Sequence, residues 1–241
     1  FTGWMLLNYN KPVQVSSTLG GFQPNLAVDE DLKTYWSAKT ANANEWFQTD
    51  LGEVSTVNAI QINYADQDAE FMGKTIGKFH QYKILASIDG KKWTVAVNKS
   101  ANKKDVPHDY IELEKPIKAR FLKLENIKMP TGKFALSGFR VFGKGAGEKP
   151  KAVENFVVLR AEKNKFGERR SSWMKWEQND NADGYVIYFG KTPDKLYGSI
   201  MVYSKNDYFF TGMDREDTYY FQIEAFNNNG ISTRSEIKKV E

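Results

Sequence analysis

The chain of 241 residues has no cysteine and two histidines. The first absence removes disulfide frameworks, cysteine nucleophiles and thiolate metal centres. The second leaves too few imidazoles for a histidine-rich metal site. A Ser-His-Asp arrangement would have to recruit His80 or His108, and no G-x-S-x-G turn is present to display a serine. Long apolar runs are missing too: no segment approaches the ~20 residues that span a bilayer, so membrane insertion is not expected. Charge of one sign is not concentrated either. The 34 basic and 30 acidic residues, net +4, are interspersed, with doublets such as Lys103, Lys104 and Arg169, Arg170. A nucleic-acid surface gathers its cations on one face, so no nucleic-acid partner is expected. Residue 1 is phenylalanine and no signal-like segment follows, as expected of a piece of a longer protein.

Apolar residues make up 41% of the chain and aromatics 14%, enough for each half to close its own core. At this length two ordinary domains are the expected organisation. The hydrophobic period is two. Ile60, Ile62 and Tyr64 alternate with polar residues, as do Tyr82, Ile84 and Ala86, then Trp93, Val95 and Val97, and later Leu122 and Leu124. Asp89 and Gly90 form a tight-turn pair between two of these runs. Many short strands without a long amphipathic helix predict an all-β protein of the sandwich or barrel kind. The stretch Gly143 to Lys151 breaks the alternation with Gly, Lys and Pro and reads as a linker. A phosphate-cradling loop would need a helix directly after its glycines, and Glu148, Lys149 and Pro150 follow instead.

Successive phrases carry a family resemblance: N-x-x-K-P-V-Q-V-S-S at Asn8 to Ser17, P-N-L-A-V-D-E-D-L-K-T-Y-W-S-A at Pro24 to Ala38, and E-W-F-Q-T-D-L-G at Glu45 to Gly52. With Y-K-I-L-A-S-I-D-G-K-K-W, A-R-F-L-K-L and the closing G-F-R-V-F-G at Gly138 to Gly143, residues 1–145 resemble a discoidin, or coagulation factor 5/8 type C, galactose-binding-like domain. Trp36, Trp46 and Trp93 are expected to plug its sandwich. After a linker at 146–151, residues 152–241 resemble fibronectin type III. Met213, Tyr219 and Ala225 stand six apart, Trp176 matches the family's strand-B tryptophan, and Ala182 to Gly190 matches its strand C. Tyr219 is expected to hydrogen-bond back to the connection before it. The resemblance therefore implies two β-sandwiches, a discoidin-like jelly roll followed by an immunoglobulin-like sandwich.

Both families are non-catalytic, so no enzymatic activity is expected of this fragment. The wording of Asp105 to Leu113 and Pro130 to Gly145 resembles C-terminal modules of bacterial glycoside hydrolases, above all family 43 enzymes acting on plant arabinoxylan-type polymers. That implies a secreted, periplasmic or cell-surface protein, a plant-type polysaccharide as ligand and a catalytic domain of the same polypeptide as neighbour. Two alternatives stay open: a structural appendage packing on that catalytic domain, and a discoidin-type adhesion or lipid-binding module. Against the latter, the loop Ala65 to Lys78 is rich in Asp and Glu around the lone apolar pair Phe71 and Met72, which does not favour anionic membranes.

Relatives of this kind bind through loops at one end of the sandwich, here Ser17 to Gln23, Ala65 to Lys78, Asn98 to Tyr110 and Pro130 to Phe134. A sugar needs an aromatic ring under its C–H face and directional partners for its hydroxyls. Phe71 or Phe22 is the expected platform, with Asp66, Glu70 and His108 as hydroxyl partners. Each has a structural alternative: Phe22 as a core plug, His108 as a loop cap, the carboxylates as solvated groups or partners of Lys74 and Lys78. Many sugar-binding relatives also hold a structural calcium in the loop that here carries Asp29, Asp31 and Thr34, three hard-oxygen donors at short spacing. In those relatives a glutamate on the closing strand completes the shell, and Gly138 stands there in this chain. The alternative is that Asp29 or Asp31 caps a short helical turn.

Overall fold

The computed structural model describes residues 3–69, 78–161 and 169–241. The chain divides into two compact units, Phe1–Ala146 and Gly147–Glu241. Both are all-β; the described residues contain a single 3-10 turn, Pro24–Ala27, and no α-helix.

The first unit contains β1 (Met5–Leu6), β2 (Val13–Val15), β3 (Trp36–Ser37), β4 (Trp46–Tyr64), β5 (Gln81–Ser87), β6 (Thr94–Asn98), β7 (His108–Lys128) and β8 (Ala135–Lys144). Two of these strands are long enough to serve both layers of a sandwich. Trp46 to Asp50 of β4 pairs with β2 and with Phe121 to Glu125 of β7, which continues to β5 and β6. Past a register break between Asp50 and Ser55, the rest of β4 pairs with His108 to Ala119 of β7 and with β8, which also carries β1 and β3. At the break Gly52 adopts φ +84, a value that suits glycine. Asp50 accepts the Gly52 N–H at 2.8 Å and holds Arg120 through both its oxygens, at 2.8 and 2.9 Å. Above all, the Arg120 guanidinium keeps the Asp50 carboxyl below its ordinary pKa.

The core between the layers is aromatic at its centre. Trp36, fully buried, meets Phe47 at 5.3 Å and Phe134 edge-on at 5.4 Å, and Phe47 meets Phe139 at 5.6 Å. Ile60, Ile62, Tyr64, Tyr82, Ile84, Ala86, Leu122 and Leu124 all point inward as their alternation predicts. Three expectations need correction. Trp46 and Trp93 are only half-buried; the ammonium of Lys123 stands over both rings, at 5.8 and 4.5 Å. The alternation of Trp46 with buried Phe47 turns the tryptophan outward. Val95 is 55% exposed although Val97 is buried. Opposite Ile84 and Leu85, β6 places Val97 and Val95, so Ala96 is the extra residue of a bulge and the inward face changes there. Finally, Gly143 and Lys144 belong to β8 rather than to the linker: Gly143 pairs with Met5 and Val57, and a Cβ on it would overlap the Thr56 carbonyl.

The second unit contains β9 (Val157–Arg160), β10 (Ser171–Lys175), β11 (Gly184–Gly190), β12 (Gly198–Tyr203), β13 (Asp207–Thr211), β14 (Tyr219–Asn227), β15 (Gly230–Ile231) and β16 (Lys238–Val240). One sheet runs β13-β10-β9; the other runs β12-β11-β14-β15, with β16 also on β14. Their inner faces meet over Met174, Trp176, Tyr185, Ile187, Phe221 and Ile223, with Trp176 edge-on to Tyr185 at 5.1 Å. The buried Tyr219 hydroxyl accepts the Asp214 N–H at 3.0 Å, the corner bond expected from its position.

Buried His80 sits at the rim of the first unit, stacked on Tyr64 at 4.2 Å. Its Nδ1 accepts the Val106 N–H at 3.2 Å, which requires a neutral ring. Asp105 lies 3.1 Å from the same nitrogen. Burial pushes the imidazole down to about 4, outweighing the opposing pull of Asp105 and Asp109. Between pH 6.5 and 4 the unfolded chain therefore binds the proton that the native state refuses. The His80 contribution to stability is complete above pH 6.5 and is lost as pH falls, by about 3 kcal/mol at full extent. An NMR titration of the His80 ring should show a midpoint near 4, and His80→Gln should flatten the acid limb of unfolding curves; a midpoint near 6.5 would contradict this. In the core, Phe47→Ala should lower the unfolding free energy of the first unit by ~3–5 kcal/mol in denaturant titration.

Candidate functional site

At one end of the first sandwich three loops are tied together. Phe22, on the loop after β2, packs its ring on Tyr35 at 4.7 Å and 30° between planes, and both rings are half-buried. The Tyr35 hydroxyl donates to Gln67 Oε1 at 2.7 Å, and Gln67 Nε2 donates to Asp68 Oδ1 at 2.7 Å. Asp68 is ion-paired with Lys133 on the loop between β7 and β8, and the Lys133 N–H donates to the Gln67 carbonyl at 2.9 Å. Gly132 makes that approach possible. Its φ is +69, and a Cβ there would overlap the Gln67 carbonyl, so both conformation and space require glycine. The ion pair lowers the pKa of Asp68, which keeps an exposed carboxylate charged at the rim of the ring pair.

The base of this end is held by Glu45. Its buried carboxylate accepts hydroxyl bonds from Ser16, from Ser17 at 2.8 and 2.9 Å and from Thr40 at 2.7 Å. Burial alone would raise its pKa, but the three hydroxyls together hold it below the ordinary value. Ser17 also accepts the Lys39 N–H at 3.0 Å. These bonds fix the loop that carries Phe22 against the β3 region.

Of the five predicted sugar-site residues, Phe22, Asp66 and His108 are described. Phe22 lies in the cluster just described. Asp66 is exposed one residue before Gln67. His108 is the first residue of β7, exposed, and faces the Asn63 side-chain amide at 3.1 Å. It is therefore placed by sheet register opposite β4. Glu70 and Phe71 lie outside the described residues. Tyr35, Gln67, Asp68 and Lys133 are not among the residues expected from sequence. Gln67 and Asp68 belong to the loop Ala65 to Lys78, whose other carboxylates Asp66 and Glu70 are the expected partners. Tyr35 precedes β3, in which Trp36 and Ser37 are both buried, so no alternation marks it.

The loop from residue 26 to 34 collects oxygen atoms. Thr34 Oγ1 lies 2.7 Å from Asp29 Oδ2, 3.0 Å from the Asp31 carbonyl and 3.5 Å from the Leu26 carbonyl. A hydroxyl has one proton to offer, so these three acceptors cannot all be satisfied by it. The Asp31 carboxylate does not join them; it accepts the Lys33 N–H at 2.9 Å. Glu30, with φ +60, turns away to Arg140 at 2.6 Å. Gly138 pairs with Asn63, and a side chain there would press on the Asn63 amide. Among the described residues no group of three or more acidic or histidine side chains is positioned to hold a metal, so a cation here would depend on Asp29, Thr34 and backbone carbonyls.

The family model for the F5/8 type C domain matches residues 12–138. Solved structures with a similar fold include chitosan-binding module 1 of a chitosanase/glucanase from Paenibacillus sp. IK-5, 23% identical over 58% of this chain and 99% of that one, TM-score 0.47. They also include CBM32-1 of a family 31 glycoside hydrolase from Clostridium perfringens, 18% identical over 56% of this chain and 96% of that one, TM-score 0.46. A third is the family 32 CBM of C. perfringens NanJ in complex with galactose, 17% identical over 58% and 98%, TM-score 0.46. No curated protein matches the chain. With a family match that spans more than half of its length, this chain belongs to the F5/8 type C domain family.

Proposed function

We propose that the chain is a non-catalytic carbohydrate-binding region of a secreted bacterial glycoside hydrolase, with its sugar site on the loop end that carries Phe22 and Tyr35. The observation that supports this reading is the ring pair itself: two half-buried aromatic rings bordered by Gln67, Asp68 and Lys133. An apolar platform with hydroxyl partners along one edge is what a pyranose or furanose ring requires, since its C–H face is apolar and its rim is polar. The site is shallow, so affinity for one sugar unit is weak. The second unit is a fibronectin type III spacer on this reading, supported by Trp176 in the core and by the Tyr219 corner bond.

The same reading assigns a structural calcium to the loop of residues 26–34, held by Asp29 Oδ2, Thr34 Oγ1 and the carbonyls of Leu26 and Asp31. Calcium takes hard oxygen donors in flexible geometry, and backbone carbonyls serve it as well as carboxylates do. Its chemistry here is structural: it would satisfy acceptors that the single Thr34 proton leaves over.

Calorimetric titration with arabinose-, xylose- and galactose-containing oligosaccharides should detect binding to at least one class. Tyr35→Ala or Phe22→Ala should weaken it about tenfold or more, equivalent to ~1.4 kcal/mol. Silence across all three classes would favour the structural-appendage reading. A chelator should lower the melting temperature of the first unit, because an ion bound only to the native state stabilises it; no shift would remove the calcium.

A further inference from the structure

The outer face of the β13-β10-β9 sheet carries an apolar row. Leu159, Trp173 and Phe209 lie side by side across the three strands, since Trp173 is paired with Leu159 on one side and Phe209 on the other. They are 64%, 56% and 44% exposed, and Val157 beside them is 46% exposed. The Trp173 and Phe209 rings lie 4.6 Å apart. The alternate residues of the same strands, Val158, Met174, Tyr208 and Phe210, supply the core, so burial in the sandwich does not account for the outward set. Substituting polar side chains at these positions would leave the core intact, and solvent exposure of three large apolar groups in one row calls for an occupant.

The chemistry around the row says which kind. Along the strands it is flanked on one side by Lys175, which lies between Asp207 and Val157, and on the other by the exposed Thr211, whose partner Ser171 is buried. Each flank is one same-face step, about 7 Å, from the row, and three strands make the row about 10 Å long. A flat aromatic and aliphatic strip of that length, with donors and acceptors on both sides, matches consecutive rings of a sugar chain laid side-on. The opposed Lys175 and Asp207 offset each other's charge beside the row, which favours a neutral polymer over an acidic one. The exposed apolar set is small, four side chains with Val157 in the Lys175 row, beside the roughly 20–30 residues a side that a stable protein interface engages.

We infer that the outer face of β9, β10 and β13 is a second carbohydrate-binding surface, in the second unit, that takes internal segments of a neutral polysaccharide on Trp173, Phe209 and Leu159. It is separate from the loop site proposed above and does not depend on it. Because the surface is a strip without end walls, it holds polymers and long oligosaccharides and has negligible affinity for monosaccharides.

The test is affinity electrophoresis of the full chain through gels containing neutral xylans, arabinans, glucans or mannans, on a Tyr35→Ala background that disables the loop site. Retardation should persist in at least one polymer, and Trp173→Ala and Phe209→Ala should each weaken it tenfold or more while Trp173→Phe retains part of it. Circular dichroism and thermal melting of all variants should match the parent, since these side chains face outward. Retardation unchanged by Trp173→Ala and Phe209→Ala, or absent from every neutral polymer, would overturn the inference. So would a Trp173→Ala effect confined to concentration-dependent self-association in sedimentation, which would make the face a contact between copies.

Discussion

Everything at the loop end of the first unit depends on how β4 and β7 turn from one layer of the sandwich into the other. A strand of 19 residues paired with one of 21 residues would run on as one continuous twisted ribbon if its register were unbroken. The break between Asp50 and Ser55 lets each strand bend and bury one face twice. Such a break leaves backbone groups without ladder partners, and they must be satisfied locally. Asp50 does this for Gly52 while gripping Arg120 across the gap, so one carboxylate closes the corner on both strands. The geometry is bidentate and partly shielded from water, the arrangement in which an ion pair has most effect.

With the corner fixed, the loops inherit their positions from strand ends. The Ala65 N–H bonds to the Ala135 carbonyl, and the Phe134 N–H to the Thr40 carbonyl, so segments far apart in sequence are stitched at one rim. Glu45 adds a buried charge satisfied by three hydroxyls, a network that tolerates no missing member because an unpaired buried carboxylate is costly. Rigid loops would suit the proposed sugar site. A ligand that buries little surface cannot also supply the free energy to order the protein around it.

The two units present apolar rings to solvent in different ways. In the first, Phe22 and Tyr35 lie half-buried among loops, a setting suited to a single residue of a glycan. In the second, Trp173 and Phe209 stand on a regular sheet, a setting suited to a run of residues.

The sequence by itself determined the all-β class, the inward-facing alternation of β4, β5 and β7, and the tyrosine corner, because period-two burial and fixed turn chemistry are local properties of a strand. It also pointed to Phe22 and to the loop holding Gln67 and Asp68. Only tertiary structure decided the rest. The bulge that exposes Val95 is set by the register of the β5–β6 pairing, and Lys123 of the remote strand β7 stands over both Trp46 and Trp93. The grouping of Tyr35 with Gln67, Asp68 and Lys133, and the placing of His108 opposite Asn63, depend on which strand ends share a rim. So does the row Leu159, Trp173, Phe209: each residue looks like an ordinary core former along its own strand. Only the cross-strand register shows that all three lie together on the face turned to solvent.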